Sequence, residues 1–191
     1  MFSEKTYYNT VVITDLRRFE MSCFKEILPE NIGKNIFTLI DDDWMLITAG
    51  EKGDYNTMTA SWGGAGILWN DPVSFIFVRP QRYTYEFTEK YGKYTLSFFG
   101  EKYRGALNFC GSHSGREFDK AKETGLTPVF EDGYTYFAEA DLVLFCEKKY
   151  ADGLREENFT DKNTVEKCYP ARDFHKMYIG KIAKCLKKQS D

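Results

Sequence analysis

Residues 44–63 read WMLITAGEKGDYNTMTASWG, two β-suited stretches on either side of a glycine-containing turn. WMLITAG (44–50) is β-suited, EKGD (51–54) supplies the turn, and YNTMTASWG (55–63) resumes with alternating side chains. The pattern predicts a hairpin. Outward from it, VSFIFVR (73–79) and YTLSFF (94–99) are short apolar runs bounded by Asp71-Pro72 and Gly100, and they predict buried strands. Between them TYEFTEKYG (84–92) predicts a short helix with Thr84 as N-cap and Gly92 as its stop. Ser114 and Glu117 have the spacing of a capping box opening REFDKAKETG, which stops at Gly125. Upstream, Pro29 opens PENIGKNIFTLI, whose Ile32, Ile36, Phe37 and Ile40 recur at helical spacing and predict a helix over 29–40. Downstream, YFAEADLVLFCEKKY (136–150) and KMYIGKIAKCL (176–186) are long β-like runs, the first long enough to require a bend. Strands that outnumber helices and join by short turns argue for an antiparallel barrel over a doubly wound parallel sheet.

The 191 residues suit one domain with a sizeable core, read here as an N-terminal arm (1–34) packing on a domain over 35–191. Hydrophobic residues make up 42% and aromatics 17%, enough apolar surface to fold without a partner. With 26 Lys plus Arg against 29 Asp plus Glu the net charge is −3, which offers no field for drawing in nucleic acid. Five cysteines form no CxxC and the chain has only two histidines, a poor inventory for a zinc site or a disulfide framework. No membrane span or signal peptide is evident, and a reducing cytoplasm is the expected location.

No GxxxxGK[ST], HExxH, GxSxG or strand-to-helix GxGxxG is present. GGAG (63–66) runs into LWNDP, which Asp71-Pro72 stops before a helix could grow, so it reads as a sheet corner. Cys110 and His113 could pair as nucleophile and base, but nothing orients the histidine, and Cys110 reads as a small apolar residue ending a helix.

Five segments in order, NTMTASWGG (56–64), RPQRYTYEF (79–87), LSFF (96–99), NFCGSHSGREFDKAKETGL (108–126) and HKMYIGKI (175–182), resemble the flavin reductase-like family with an FMN-binding split barrel, particularly its flavoredoxin-like branch. The resemblance spans about residues 35–186. It implies a six-stranded antiparallel split barrel of Greek-key type with a few short peripheral helices. It also implies a homodimer, FMN near the subunit interface, and hydride transfer from NADH or NADPH to the flavin. The expected function is therefore an NAD(P)H-dependent flavin oxidoreductase feeding an acceptor such as a redox protein or monooxygenase. The alternative is a flavoredoxin-type electron carrier reduced by a protein partner.

Residue by residue, the resemblance places Asn56, Thr57, Met58, Thr59, Ala60, Ser61 and Trp62 beside the isoalloxazine. Alternation puts Asn56, Met58, Ala60 and Trp62 on one face and Thr57, Thr59 and Ser61 on the other, where hydroxyls could meet the polar ring edge or merely line a wet face. Arg79, Arg82 and Thr84 gather two guanidinium forks, a hydroxyl and a helix start, a phosphate site in outline, although two arginines in a turn also suit solvated surface. Lys120 in SGREFDK matches the family lysine near the phosphate, while Ser114 reads as a cap. Tyr83, Ser97, Phe98 and Cys110 carry over as cofactor-binding positions within the matched segments. His175 matches the family histidine expected near flavin and nicotinamide, as a catalytic candidate. Two departures bear on it: the family's frequent Asp directly before the His is displaced to Asp173, and its frequent Glu after the Gly is Lys181.

Overall fold

A computed structural model of the chain describes residues 23–189, so positions 1–22 of the expected arm lie outside the described residues. The strands are β1 (Phe24–Ile27), β2 (Met45–Glu51), β3 (Asp54–Ala60), β4 (Gly63–Leu68), β5 (Asp71–Val78), β6 (Lys93–Phe98), β7 (Pro128–Glu131), β8 (Tyr134–Phe137), β9 (Leu142–Gly153) and β10 (Lys176–Lys188). The α-helices are α1 (Ile36–Asp41), α2 (Tyr83–Lys90), α3 (Arg104–Ser112), α4 (Lys120–Thr124) and α5 (Lys162–Cys168). All pairings are antiparallel, in the order β3-β2-β6-β9-β10-β5-β4, with β1 also on β10 and β7-β8 as a separate hairpin. The mainly β, antiparallel split-barrel architecture is the one expected from the sequence. Among the described residues no helix is long and apolar enough to cross a membrane.

The 44–63 hairpin forms as read, β2 and β3 pairing from Met45 opposite Ala60 to Glu51 opposite Asp54. Its first strand is buried without interruption from Met45 to Gly50, the polar Thr48 included, because both of its faces are covered. Met45, Ile47 and Ala49 join one core with Met58, Ile76, Leu96, Leu144 and Tyr178, whereas Leu46 joins a second with Leu107, Cys110, Phe137, Val143 and Phe145. The second core lies beneath α3 and the β7-β8 hairpin. β10 carries β9 on one edge and, on the other, β5 over residues 176–181 and β1 over residues 185–188. Its register against β9 shifts at Ile179/Gly180 and at Ile182/Lys184, bulges that bend the strand around the core. At Gly180 an added Cβ would collide with the Tyr94 hydroxyl.

Four expectations are corrected. The helix over 29–40 breaks into a 3₁₀ turn (Pro29–Asn31) and α1, because Gly33 takes φ +72° and Asn35 caps a new start by accepting from Phe37 N. The run 136–150 is two strands, β8 and the start of β9, separated where Ala140 N closes a turn onto Phe137 O. GGAG is no corner: it forms most of β4, the last strand in the sheet order, joined to β5 through Trp69 and Asn70, both at positive φ as a type I′ turn requires. The capping box at Ser114 does not form either; α4 starts later, capped by Asp119, and stops as predicted at left-handed Gly125.

Candidate functional site

β3 heads the sheet order, so no strand pairs with its other edge; one cavity has walls that bond to β3 through Asn56 and the Thr57 carbonyl, and a second is lined by β3 residues. The first, about 220 Å3, is walled by Arg82, Thr84, Ser114, Gly115 and Lys120. Each cation arrives there through a carbonyl at the C-terminal end of α3. Lys120 Nζ donates to Cys110 O at 2.9 Å and to Thr57 O, on β3, at 2.8 Å, while Arg82 Nη1 donates to Gly111 O at 2.7 Å. Those carbonyls lack intrahelical partners and sit at the negative end of the helix dipole, which accounts for two like charges side by side. Lys120 is only 6% exposed. Burial pushes its ammonium down to about 8, opposed by Cys110 and aided least by repulsion from Arg82; burial also lowers Arg82. Among the described residues neither cation has a carboxylate partner.

Neutral donors complete this pocket. Arg82 is the N-cap of α2 without a side-chain cap bond, so Thr84 is not the cap but lies in the first turn, where its hydroxyl accepts from Asn56 Nδ2 at 2.8 Å. The backbone at Gly115 passes so close that a Cβ there would collide with Asn56 Oδ1. Tyr83, Gly115 and Lys120 also wall an adjoining cavity of about 260 Å3 that reaches Tyr55, Phe87 and Phe118. Arg116 stands outside, ion-paired with Glu86 and 4.5 Å from the centre of the Tyr83 ring.

The second cavity, about 190 Å3, lies at the far end of β3 among Met58, Ser61, Trp62, Phe77, Arg79 and His175, with Thr59 and Ala60 also lining it. The Trp62 ring centre is 5.3 Å from that of His175. His175 is 8% exposed, and burial, aided by the Arg79 charge and opposed by Asp173, brings its imidazole down to about 4. It is therefore neutral at ordinary pH.

The structure thus brings Asn56, Arg82, Tyr83, Thr84 and Lys120 together, and separately Met58, Thr59, Ala60, Ser61, Trp62, Arg79 and His175. It does not bring Arg79 to Arg82: Arg79 is ion-paired with Asp173 and donates to Cys168 O at 2.9 Å. The hydroxyls of Thr57 and Thr59 turn inward, the first to Thr48 Oγ1 at 2.8 Å and the second to Leu107 O at 2.5 Å. Ser97 and Phe98 line neither cavity; Phe98 belongs to the core, and Ser97 is fully buried in β6. Cys110 contributes its carbonyl, while its buried thiol is pushed up to about 11, and His113 stacks on Phe109 at 4.0 Å. Of the two departures, Asp173 is held by Arg79 and Gln81, and Lys181 pairs with Asp71 at 2.7 Å. The residue that sequence reasoning missed is Tyr169, whose hydroxyl is 2.9 Å from His175 Nδ1; no spacing signal marks it.

The sequence matches the family described as flavin reductase like domain over residues 41–189. No curated relative matches it. Among solved structures it is similar to a flavoredoxin from Methanosarcina acetivorans, at 19% identity and TM-score 0.60, covering 77% of this chain and 69% of that one. An FMN-binding domain of a flavin reductases-like enzyme from Shewanella baltica OS155 aligns at 16% identity and TM-score 0.61, covering 86% and 77%. The styrene monooxygenase flavin reductase of Pseudomonas putida S12 aligns at 15% identity and TM-score 0.57, covering 78% and 80%.

Proposed function

The chain belongs to the flavin reductase-like domain family, and from that premise we propose that it binds FMN and passes electrons through it from NADH or NADPH to an acceptor. The observation that carries the reading is Lys120, a buried cation with no carboxylate partner among the described residues, beside Arg82 in a pocket whose lining contains no acidic residue. A buried charge without a counter-ion is costly unless an anion completes the site. The residues fit a phosphate: Lys120 and Arg82 supply charge, while Thr84 and Ser114 supply hydroxyls.

β3 supplies the distance. At about 3.3 Å per residue, Ala60 lies ~13 Å along the strand from Asn56, so an elongated ligand with its phosphate at Lys120 would lay a flat ring toward Met58 and Trp62. Phe77 and Trp62 offer the apolar wall, and the open edge of β3 offers backbone donors and acceptors for a polar ring edge. FMN, when bound, supplies the hydride-accepting chemistry, and the protein's part is to hold the ring and exclude competing reactions. His175, neutral and walled by aromatic rings, acts as a hydrogen-bonding group rather than a general acid.

We further propose a homodimer. Phe37 (79% exposed) and Trp62 (48%) line one groove and Ile67 (74%) the adjoining one, the two sharing Ile36 and Ala65. Contiguous exposed apolar surface of this kind calls for a protein cover. Because Trp62 lies both in that groove and in the His175 cavity, a second copy there would also screen the ring site.

The test is spectroscopic. Purified protein is expected to take up FMN far more tightly than riboflavin, and anaerobic NADH or NADPH to bleach the bound flavin. Equal affinity for the two flavins would remove the phosphate assignment. Binding without bleaching by either nicotinamide would favour a carrier reduced by a protein partner.

A further inference from the structure

Tyr169 and His175 face each other across a contact that the flavin reading leaves unused, the Tyr169 hydroxyl lying 2.9 Å from His175 Nδ1. Both residues are buried, and their rings meet edge to face at 5.5 Å. Such a contact can run in two directions. If Nδ1–H donated to the phenol oxygen, the phenolic proton would need an acceptor of its own, and among the described residues the hydroxyl has no other partner. A buried donor left unpaired costs about 1–3 kcal/mol. The phenol therefore donates to the Nδ1 lone pair, and in a neutral imidazole the ring proton is then on Nε2.

The segment carrying both residues is held firmly. Arg79 pairs with Asp173, donates to Cys168 O, and places its guanidinium carbon 5.2 Å from the centre of the Tyr169 ring. Arg79 is thus a clamp on residues 168–173, which explains why it does not join Arg82. His175 Nε2 has no protein partner among the described residues, and the ring lines the cavity with Trp62 and Phe77.

We propose that Tyr169 is a positioning residue: its hydroxyl fixes His175 as the neutral Nε2–H tautomer, so that the ring offers one hydrogen-bond donor to a carbonyl or other acceptor on the cavity's ligand. The identity of that ligand rests on the flavin reading above; the tautomer does not. The charged groups near the ring are Arg79 and Asp173, and the imidazole, brought down to about 4 chiefly by burial, stays uncharged at cellular pH.

The chain has two histidines, so a His113→Gln variant leaves one to be observed by two-bond ¹H–¹⁵N correlation. The spectrum is expected to show a neutral ring protonated at Nε2 between pH 5.5 and 8.5. A ring protonated at Nδ1, or an imidazolium at pH 6, would overturn the proposal without any variant of the pair. Tyr169→Phe should move the Nδ1 resonance and slow nicotinamide-driven bleaching by about 3- to 10-fold with FMN affinity unchanged, the scale of one lost neutral hydrogen bond. His175→Gln, which keeps a neutral N–H near the Nε2 position, should preserve most of the rate and be insensitive to adding Tyr169→Phe. An Nδ1 resonance unmoved in a folded Tyr169→Phe variant would refute the contact. Failure to bind FMN would instead refute the flavin reading and leave the tautomer result standing.

Discussion

Replacing Lys120 with methionine removes the charge on which the anion pocket depends while keeping most of the side chain's volume. In the folded protein the ammonium falls from 10.5 to about 8, which corresponds to roughly 3 kcal/mol held against the charged form. Between those two values the unfolded chain keeps a proton that the folded chain has lost, so without ligand the protein gains stability as pH rises through that window. Below pH 8 the penalty is present in full. A bound phosphate relieves it by raising the lysine again, so FMN affinity should be greatest between about pH 6, where a phosphate monoester takes its second charge, and about pH 8, where unliganded Lys120 begins to lose its proton. Above that the affinity should fall by up to about tenfold per pH unit. Lys120→Met should weaken FMN binding at pH 7 by about 10- to 150-fold, the equivalent of a charge-assisted hydrogen bond of about 1.5–3 kcal/mol, and should abolish the decline above pH 8. The variant strands the Thr57 and Cys110 carbonyls at about 1–3 kcal/mol each while removing a buried charge held at roughly 3 kcal/mol, so the two effects largely offset and the melting temperature should fall only modestly. Fluorescence titration with FMN from pH 5 to 10 is the assay, and riboflavin, with the same ring and no phosphate, controls for titration of the ring itself. A flat FMN profile from pH 7 to 10, or an unchanged Kd in the variant, would refute the reasoning.

Gly115→Ala should lower FMN affinity without unfolding the protein, because its methyl group must displace Asn56 Oδ1 and with it the bond to Thr84; titration and melting measured together check this. Arg79→Leu should do the reverse, lowering melting temperature and the bleaching rate by releasing the 168–173 segment while leaving the preference for FMN over riboflavin intact. Loss of the preference for FMN over riboflavin would return Arg79 to the phosphate. Phe37→Asp, at a 79% exposed position, should convert a dimer to monomer in sedimentation velocity with the monomer still folded; a parent that sediments as a monomer at micromolar concentration would remove the dimer proposal.

Local chemistry explains what the sequence made legible. The β2-β3 hairpin was readable because two β-suited stretches and the glycine-containing turn between them are written within twenty positions. Burial on both faces of β2 was not legible there; it shows only where Met45, Ile47 and Ala49 enter one core and Leu46 the other. Lys120 was reachable through a motif, but its cost was not, since its partners Thr57 and Cys110 come from separate elements. Helix starts were misplaced where capping residues competed: Ser114 and Asp119 each resemble a cap, and the backbone at Asp119 decides, with its carboxylate taking Lys122 N.

Arg79 and Arg82 show where spacing stops being informative. They flank one proline, carry the same group and look equivalent in sequence. Arg79 follows the last residue of β5, whereas Arg82 is the cap of α2, and the turn between them sends the two guanidiniums to different partners. Arg79 reaches Asp173 and Cys168, about ninety positions away, and Arg82 reaches the end of α3. That divergence divides one supposed phosphate cluster into an anion pocket and a clamp. The clamp in turn positions Tyr169 against His175, so the displaced acid Asp173 acts on the imidazole through an arginine and a tyrosine rather than by contact. A carboxylate bonded directly to Nδ1 would raise the imidazole toward the charged form, whereas a phenol donor holds it neutral. The exchange of one partner for the other therefore predicts a site that donates a hydrogen bond at its ring end and keeps its carboxylate-free cations, Lys120 and Arg82, in the separate cavity at the C-terminal end of α3.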